Sequence, residues 1–159
     1  MKVRYAWIVL KAEIAHAHGC KHTILYTKQD FVAEVSRISG GEKLPVVFDS
    51  VGKDTFLRSL GCLRPRGLMV TFGQASGPID PIAPVLLSQK GSLFLTRPIL
   101  FRYIERRDAL EASANELFEV VASGKVRINV NQRFALKDAA DAHKALEARA
   151  TSGSTILTI

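Results

Sequence analysis

At 159 residues, 47% hydrophobic and 23% charged, the chain has the balance of one globular domain, and no apolar run approaches the ~20 residues that cross a bilayer. Two cysteines far apart make no disulfide framework, so a reducing cytoplasm is expected; "YAWIVL" is too short for a signal-peptide core, and no small-residue cleavage site follows it. The 22 Lys and Arg outnumber the 15 Asp and Glu to give +7, yet the bases are scattered, acids sit among them and no recognition motif appears, so nucleic acid is not an expected partner.

In chain order, "LKAEIAHAHG" places apolar residues at 10, 14 and 17 ahead of Gly19, which reads as a helix with a glycine cap. The stretch "AHAHGCKHT" holds His16, His18, Cys20 and His22, residue types that zinc prefers. Helical positions two apart face nearly opposite ways, so His16 and His18 cannot share an ion. At most His18, Cys20 and His22 come near one another after Gly19, and their spacing does not match the usual ligand sets; no metal is expected. "HTILY" (22–26) reads as a strand. In "DFVAEVSRISGG", Phe31, Val35 and Ile38 share a helical face, with Asp30 as N-cap and Gly40-Gly41 as terminator. "LPVVFDSVG" gives a buried strand over 45–49, and a helix follows from Asp54 to about Leu60.

"RGLMVTFGQASG" predicts another buried strand with a glycine-rich exit. After a proline-punctuated loop at 78–84 comes "GSLFLTRP", a further strand. "RDALEASANELFEVVASGK" is the longest predicted helix, and "LKDAADAHKALEARATSG" the last, before "STILTI" as a closing strand. Strands apolar on both faces, alternating with helices, argue an α/β fold with a parallel sheet covered by helices. No linker or repeat interrupts residues 1–159, so one domain suffices.

Open α/β sheets bind ligands beyond the carboxyl ends of their strands. Those ends are Tyr26 and Thr27, "DSVG" (49–52), "FGQASG" (72–77) and "TRP" (96–98). "FGQASG" sets an aromatic and then a glycine at a strand tip, where a flat ring can approach the main chain. Equally, Gly52 and Gly73 fit simple turns and Phe72 fits the core. Neither G-x-G-x-x-G nor G-x-x-x-x-G-K-[ST] occurs, so the pyrophosphate cradle of either nucleotide fold is missing from these residues. There is likewise no G-x-S-x-G or H-E-x-x-H. His143, in the last helix, has no partner to make it catalytic and reads as a packing or surface residue.

The segments "VVFDSVGKDTFLRSLGCLRPRGLMVTFGQASG", "QKGSLFLTRPILFRYI", "ASANELFEVVASGKV" and "LKDAADAHKALEARATSGSTIL" closely resemble the carboxyl-terminal part of NADPH-dependent quinone oxidoreductases, the zeta-crystallin-like, zinc-free branch of the medium-chain dehydrogenase/reductase superfamily. The likeness runs from about Lys11 to the end. In that family a GroES-like domain and a Rossmann domain enclose a cofactor cleft, and hydride passes from nicotinamide to a quinone or related electrophile without metal. The resemblance implies an incomplete Rossmann-type parallel sheet with helices on both faces. It also implies cofactor contacts. Tyr26 would lie beside the adenosine phosphate or ribose, and Ser50 would follow the fourth strand. Phe72, Gly73, Gln74 and Ala75 would border the ribose and nicotinamide, with Pro98 and Leu100 near the nicotinamide. Arg149 would pair with the 2′-phosphate and select NADPH, unless it only caps a helix.

The departures are as informative. The family's amino-terminal domain, first Rossmann strand, glycine fingerprint and phosphate-binding lysine have no counterpart in these residues. That strand is central in the 3-2-1-4-5-6 order, so its loss removes the middle of the sheet. "KVRYAWIV" fits the start of the second strand, a substitute for the missing one, or a helix extension. By resemblance a homodimer is expected through the edge strand Gly91 to Pro98, with no membrane contact. Two functions therefore stand beside each other: an NADPH:quinone oxidoreductase truncated relative to its family and inactive alone, or a non-catalytic dimerisation scaffold.

Overall fold

The computed structural model describes residues 3–6, 9–148 and 150–159. The chain is α/β, and every strand pair among the described residues is parallel. Where the sequence shows no linker, the chain divides into two compact units, residues 1–102 and 103–159. Strand pairing follows the division: among the described residues the last two strands bond only to each other.

The first unit opens with β1 (Val3–Ala6), α1 (Val9–Ala17) and β2 (His22–Leu25). β1 pairs with β2 from Val3 opposite His22 to Ala6 opposite Leu25. For "KVRYAWIV", where three readings are open, residues 3–6 form a strand beside β2 and Val9 opens α1, while Lys2, Trp7 and Ile8 lie outside the described residues. Among the described residues this strand makes no ladder with the next sheet, so it does not stand in for a central strand there. α1 ends where Gly19 turns left-handed at φ 81°. His16 ties this end to β2: Nδ1 lies 2.9 Å from the Cys20 carbonyl and Nε2 2.7 Å from Thr23 Oγ1. A carbonyl only accepts, so Nδ1 carries the proton, and in the neutral ring Nε2 accepts from the Thr23 hydroxyl. The histidine-rich stretch thus splices a helix to a strand. Among the described residues no three His, Cys, Asp or Glu gather to hold a metal.

Next come α2 (Phe31–Ile38), β3 (Leu44–Asp49), α3 (Phe56–Gly61) and β4 (Leu63–Thr71), then α4 (Val85–Gln89), β5 (Phe94–Thr96) and α5 (Leu100–Tyr103). Asp30 caps α2 as expected, its carboxylate accepting from Val32 N–H at 3.0 Å. That bond, with Arg58 nearby, holds the Asp30 carboxyl below its usual range. α3 starts two residues later than the sequence indicates, because Gly52 and Asp49 hold residues 49–55 in a turn first. β5 keeps only three residues of "GSLFLTRP". The sequence reading left α4 and α5 unassigned; both are too short for a clear helical period.

β3, β4 and β5 form one sheet in that order. Val47 lies opposite Met69, which lies opposite Leu95; Val46, Leu68 and Phe94 form the neighbouring row. The side chains of Val47, Asp49, Met69 and Thr71 are buried on one face, alternating as a pleated strand requires. Val47 and Met69 join Ile24, Phe31, Val35, Phe56, Leu60, Cys62, Leu63 and Leu93 in the core that fixes α2 and α3 on this face. On the other face Val70 of the central strand is buried, but Phe48 is 66% and Phe94 57% exposed, so the flanking strands β3 and β5 are open on that side.

The second unit holds α6 (Arg107–Ala122), β6 (Val130–Ala135), a 3₁₀ turn (Leu136–Asp138), α7 (Ala139–Glu147) and β7 (Ser154–Thr158). β6, absent from the sequence reading, pairs in parallel with β7. Its "VNQRFA" alternates weakly, which hid it. α7 buries Ala142 and leaves His143 exposed, so of the packing and surface readings open for it His143 takes the surface one.

Candidate functional site at the carboxyl ends of β3, β4 and β5

Two loops leave the sheet side by side, residues 49–55 after β3 and 72–77 after β4. The first is organised by Asp49, fully buried at 0% exposure. Its Oδ1 accepts from the N–H groups of Val51 at 2.8 Å and Gly52 at 3.0 Å, and from Thr55 Oγ1 at 3.0 Å. Oδ2 accepts from Thr55 Oγ1 and Ser59 Oγ, both at 2.7 Å. A buried carboxylate is tolerable only when its lone pairs are used in this way. The side chain folds the strand exit into a closed turn and fastens it to α3.

The second loop is stitched to the first. Phe72 N–H donates to the Asp49 carbonyl (3.0 Å), Ala75 N–H to Ser50 (3.2 Å) and Ser76 N–H to Val51 (2.8 Å). Ser76 Oγ also donates to the Val51 carbonyl at 2.8 Å and accepts from Asp54 N–H at 3.0 Å. So close are the two chains that a Cβ on Gly73 would stand 2.5 Å from the Ser50 oxygen. A Cβ on Gly52, which is left-handed at φ 90°, would stand 2.8 Å from the Gly77 oxygen. Both glycines are therefore required by contact between the loops. Phe72 is 53% exposed, so it lies outside the core and its ring is available to a ligand.

A third element reaches in from β5. Arg97 Nη1 lies 3.4 Å from the Thr71 carbonyl, Thr71 Oγ1 and the Gly73 carbonyl alike, and Nη2 lies 3.1 Å from Gln74 Oε1. Sequence reasoning noticed "TRP" as a strand tip but missed this arginine as an organiser, and it also missed Asp49. A charged residue closing an all-apolar strand, as Asp49 closes "LPVVF", was the available signal for the latter.

The structure thus gathers Ser50, Phe72, Gly73, Gln74 and Ala75 in one platform, with Pro98 next to Arg97 at its β5 border. Leu100 lies exposed at the start of α5. Tyr26 follows β2 in the other ladder and packs against the core. Arg149 lies outside the described residues.

The sequence profile of the family described as zinc-binding dehydrogenase matches residues 18–157. The chain belongs to that family. A quinone oxidoreductase of Pseudomonas aeruginosa is 50% identical over 147 residues, which make up 92% of this chain and 45% of that protein. One from Salmonella typhimurium is 51% identical, covering 92% of this chain and 46% of the relative. The crystal structure of Escherichia coli quinone oxidoreductase complexed with NADPH superposes with a TM-score of 0.94 at 45% identity, covering 99% of this chain and 49% of that one. The chain spans about half the length of the relatives it matches, and it aligns with the carboxyl-terminal domain of this dehydrogenase family. The zinc in the family's description finds no group of three donors among the described residues. The platform, by contrast, suits a dinucleotide's ribose and ring: glycine backbone at a strand tip beside an open aromatic face.

Proposed function

We propose that this chain supplies one wall of the NADPH site of a quinone oxidoreductase, in which hydride and a proton reduce a quinone or related electrophile without metal. The platform carries this reading: two loops locked at the ends of parallel strands, with Phe72, Gln74 and Ala75 exposed to solvent. Ser50 and Phe72 to Ala75 would border the cofactor's ribose and nicotinamide. Pro98 and Leu100 would flank the nicotinamide, Tyr26 the adenosine side, and Arg149 the 2′-phosphate. The cofactor supplies the hydride; the chain's part is to fix its orientation and shield one face of its ring from water. In this reading residues 1–159 constitute a partial dinucleotide-binding domain with the helix and strand that close the family's carboxyl end, acting in the cytoplasm.

No G-x-G-x-x-G is present to cradle the pyrophosphate, and the N-terminus of a following helix supplies much of that binding in complete sites. The chain by itself should therefore bind NADPH weakly and turn over no quinone. Titration of the ¹⁵N-labelled chain with NADPH tests both parts. Shifts at Tyr26, Ser50, Phe72–Ala75, Leu100 and Arg149, without saturation at micromolar cofactor, are expected. Shifts elsewhere would overturn the location, and low-micromolar affinity with quinone-dependent NADPH oxidation would overturn the requirement for further polypeptide. Support for a homodimer through Gly91 to Pro98 comes from β5, the last strand of its sheet, with Phe94 exposed beside it. A dimeric scaffold without NADPH binding is the competing outcome.

A further inference from the structure

We infer that Arg97 is a positioning residue that orients the Gln74 carboxamide, so that this side chain offers the ligand a hydrogen-bond donor and selects an oxygen acceptor there. The inference rests on the reading of the 72–75 loop as a cofactor border, and it goes beyond that reading to the polarity of one contact. A guanidinium has five N–H donors and no acceptor. Only the Oε1 end of an amide can face it, as the 3.1 Å approach of Nη2 to Gln74 Oε1 shows. The reversed amide would set N–H against N–H and forfeit a charge-assisted bond.

Arg97 is itself held in place. Its Nη1 is shared between the Thr71 carbonyl, Thr71 Oγ1 and the Gly73 carbonyl, and Thr71 is buried. The guanidinium therefore bridges the tips of β4 and β5, and Gln74 is the exposed end of that bridge. With Oε1 engaged, the two N–H bonds of Nε2 are turned away from Arg97 at an exposed position. The backbone N–H groups of Gly73 and Gln74 have no protein acceptor among the described residues. Three neighbouring donor groups and one fixed cation make this edge of the platform a place for hydroxyl, carbonyl or phosphate oxygens, and one hostile to a ligand's own N–H groups.

Two substitutions separate the roles. Gln74→Glu keeps the Oε1 contact and turns it into an ion pair, while replacing the outward donor by an acceptor. Arg97→Met removes the clamp and leaves the donor free to rotate; Arg97→Lys restores a cation. In the ligand-free chain, the Gln74 side-chain amide resonances should move to free-amide positions in Arg97→Met and return part-way in Arg97→Lys. Unmoved resonances overturn the inference. Reduced nicotinamide mononucleotide, titrated to millimolar concentration, then probes polarity. Gln74→Glu should weaken its binding by about tenfold, the worth of one hydrogen bond lost and a repulsion gained, with thermal stability kept or raised. Equal affinity in Gln74→Glu would overturn the donor assignment. A wild-type titration that leaves residues 72–75 unperturbed would instead overturn the cofactor reading, and the ligand-free comparison decides the role of Arg97 in either event.

Discussion

The carboxyl group of Asp49 and the thiol of Cys62 show how differently two buried titratable side chains can be accommodated. Asp49 is surrounded by four donor groups and remains a working acceptor at the root of the site. Cys62 has only a long sulfur contact to the Arg58 carbonyl at 3.6 Å, and burial pushes its pKa up to about 12, with Lys43 and Arg58 pulling the other way. The folded state thus holds the thiol proton more tightly than the unfolded chain, whose thiol titrates near 9. That contribution to stability is complete below pH 9 and is lost as pH rises toward 12. Urea unfolding of wild type and Cys62→Ala should show it: the wild-type advantage is expected to shrink across this interval, and a constant difference would contradict it. At this scale the sequence was half legible. Phe72 and Gly73 stood out because an aromatic and a glycine at a strand tip are unusual. Arg97 did not, because its partners lie 23 to 26 positions away and only the sheet's register brings them together.

Among elements, α2 and the strands β3 and β4 follow directly from their residues: a 3.6-residue apolar face behind an Asp cap, and short apolar runs ending in glycine turns. β6 and the short helices α4 and α5 do not, since neither period nor length marks them. β4 also begins earlier than its apolar run, at Leu63. The register shift between Leu44 and Val46 absorbs the extra residues, and Arg66 turns left-handed at φ 60° there. The loop pair after β3 and β4 behaves as one element, and Gly73 is its seam. Gly73→Ala would press a methyl group onto the backbone of Ser50, where neither side can give way cheaply. We expect the variant to lose about 1–3 kcal/mol in chemical denaturation, in the range of an overpacked contact. Its ¹⁵N spectrum should change chiefly at residues 49–55 and 72–77. Unaltered stability would mean that the two loops are not locked together.

For the whole molecule, the central observation is that the first unit carries two parallel ladders, β1–β2 and β3–β4–β5, with none between them among the described residues. The resemblance to a family sheet lacking its central strand foresaw this gap; the separate β6–β7 pair was invisible because it depends on which strand finds which partner. The proposed association through β5 belongs to this scale as well. Phe94→Lys places a charge on the exposed row beside the edge and should convert a dimer to monomer by light scattering; an unchanged mass would argue against that interface. β4, finally, is flanked on both sides, whereas among the described residues β3 and β5 each have a single neighbour. In heavy water the β4 amides should therefore be the last of the three strands to take up deuterium, the outer strands fading first. The two loops leave from β3 and β4, so the more slowly opening strand anchors one of them while its neighbour frays. Breathing of the molecule should accordingly part the seam from the Ser50 side, leaving Phe72 on the firmer footing.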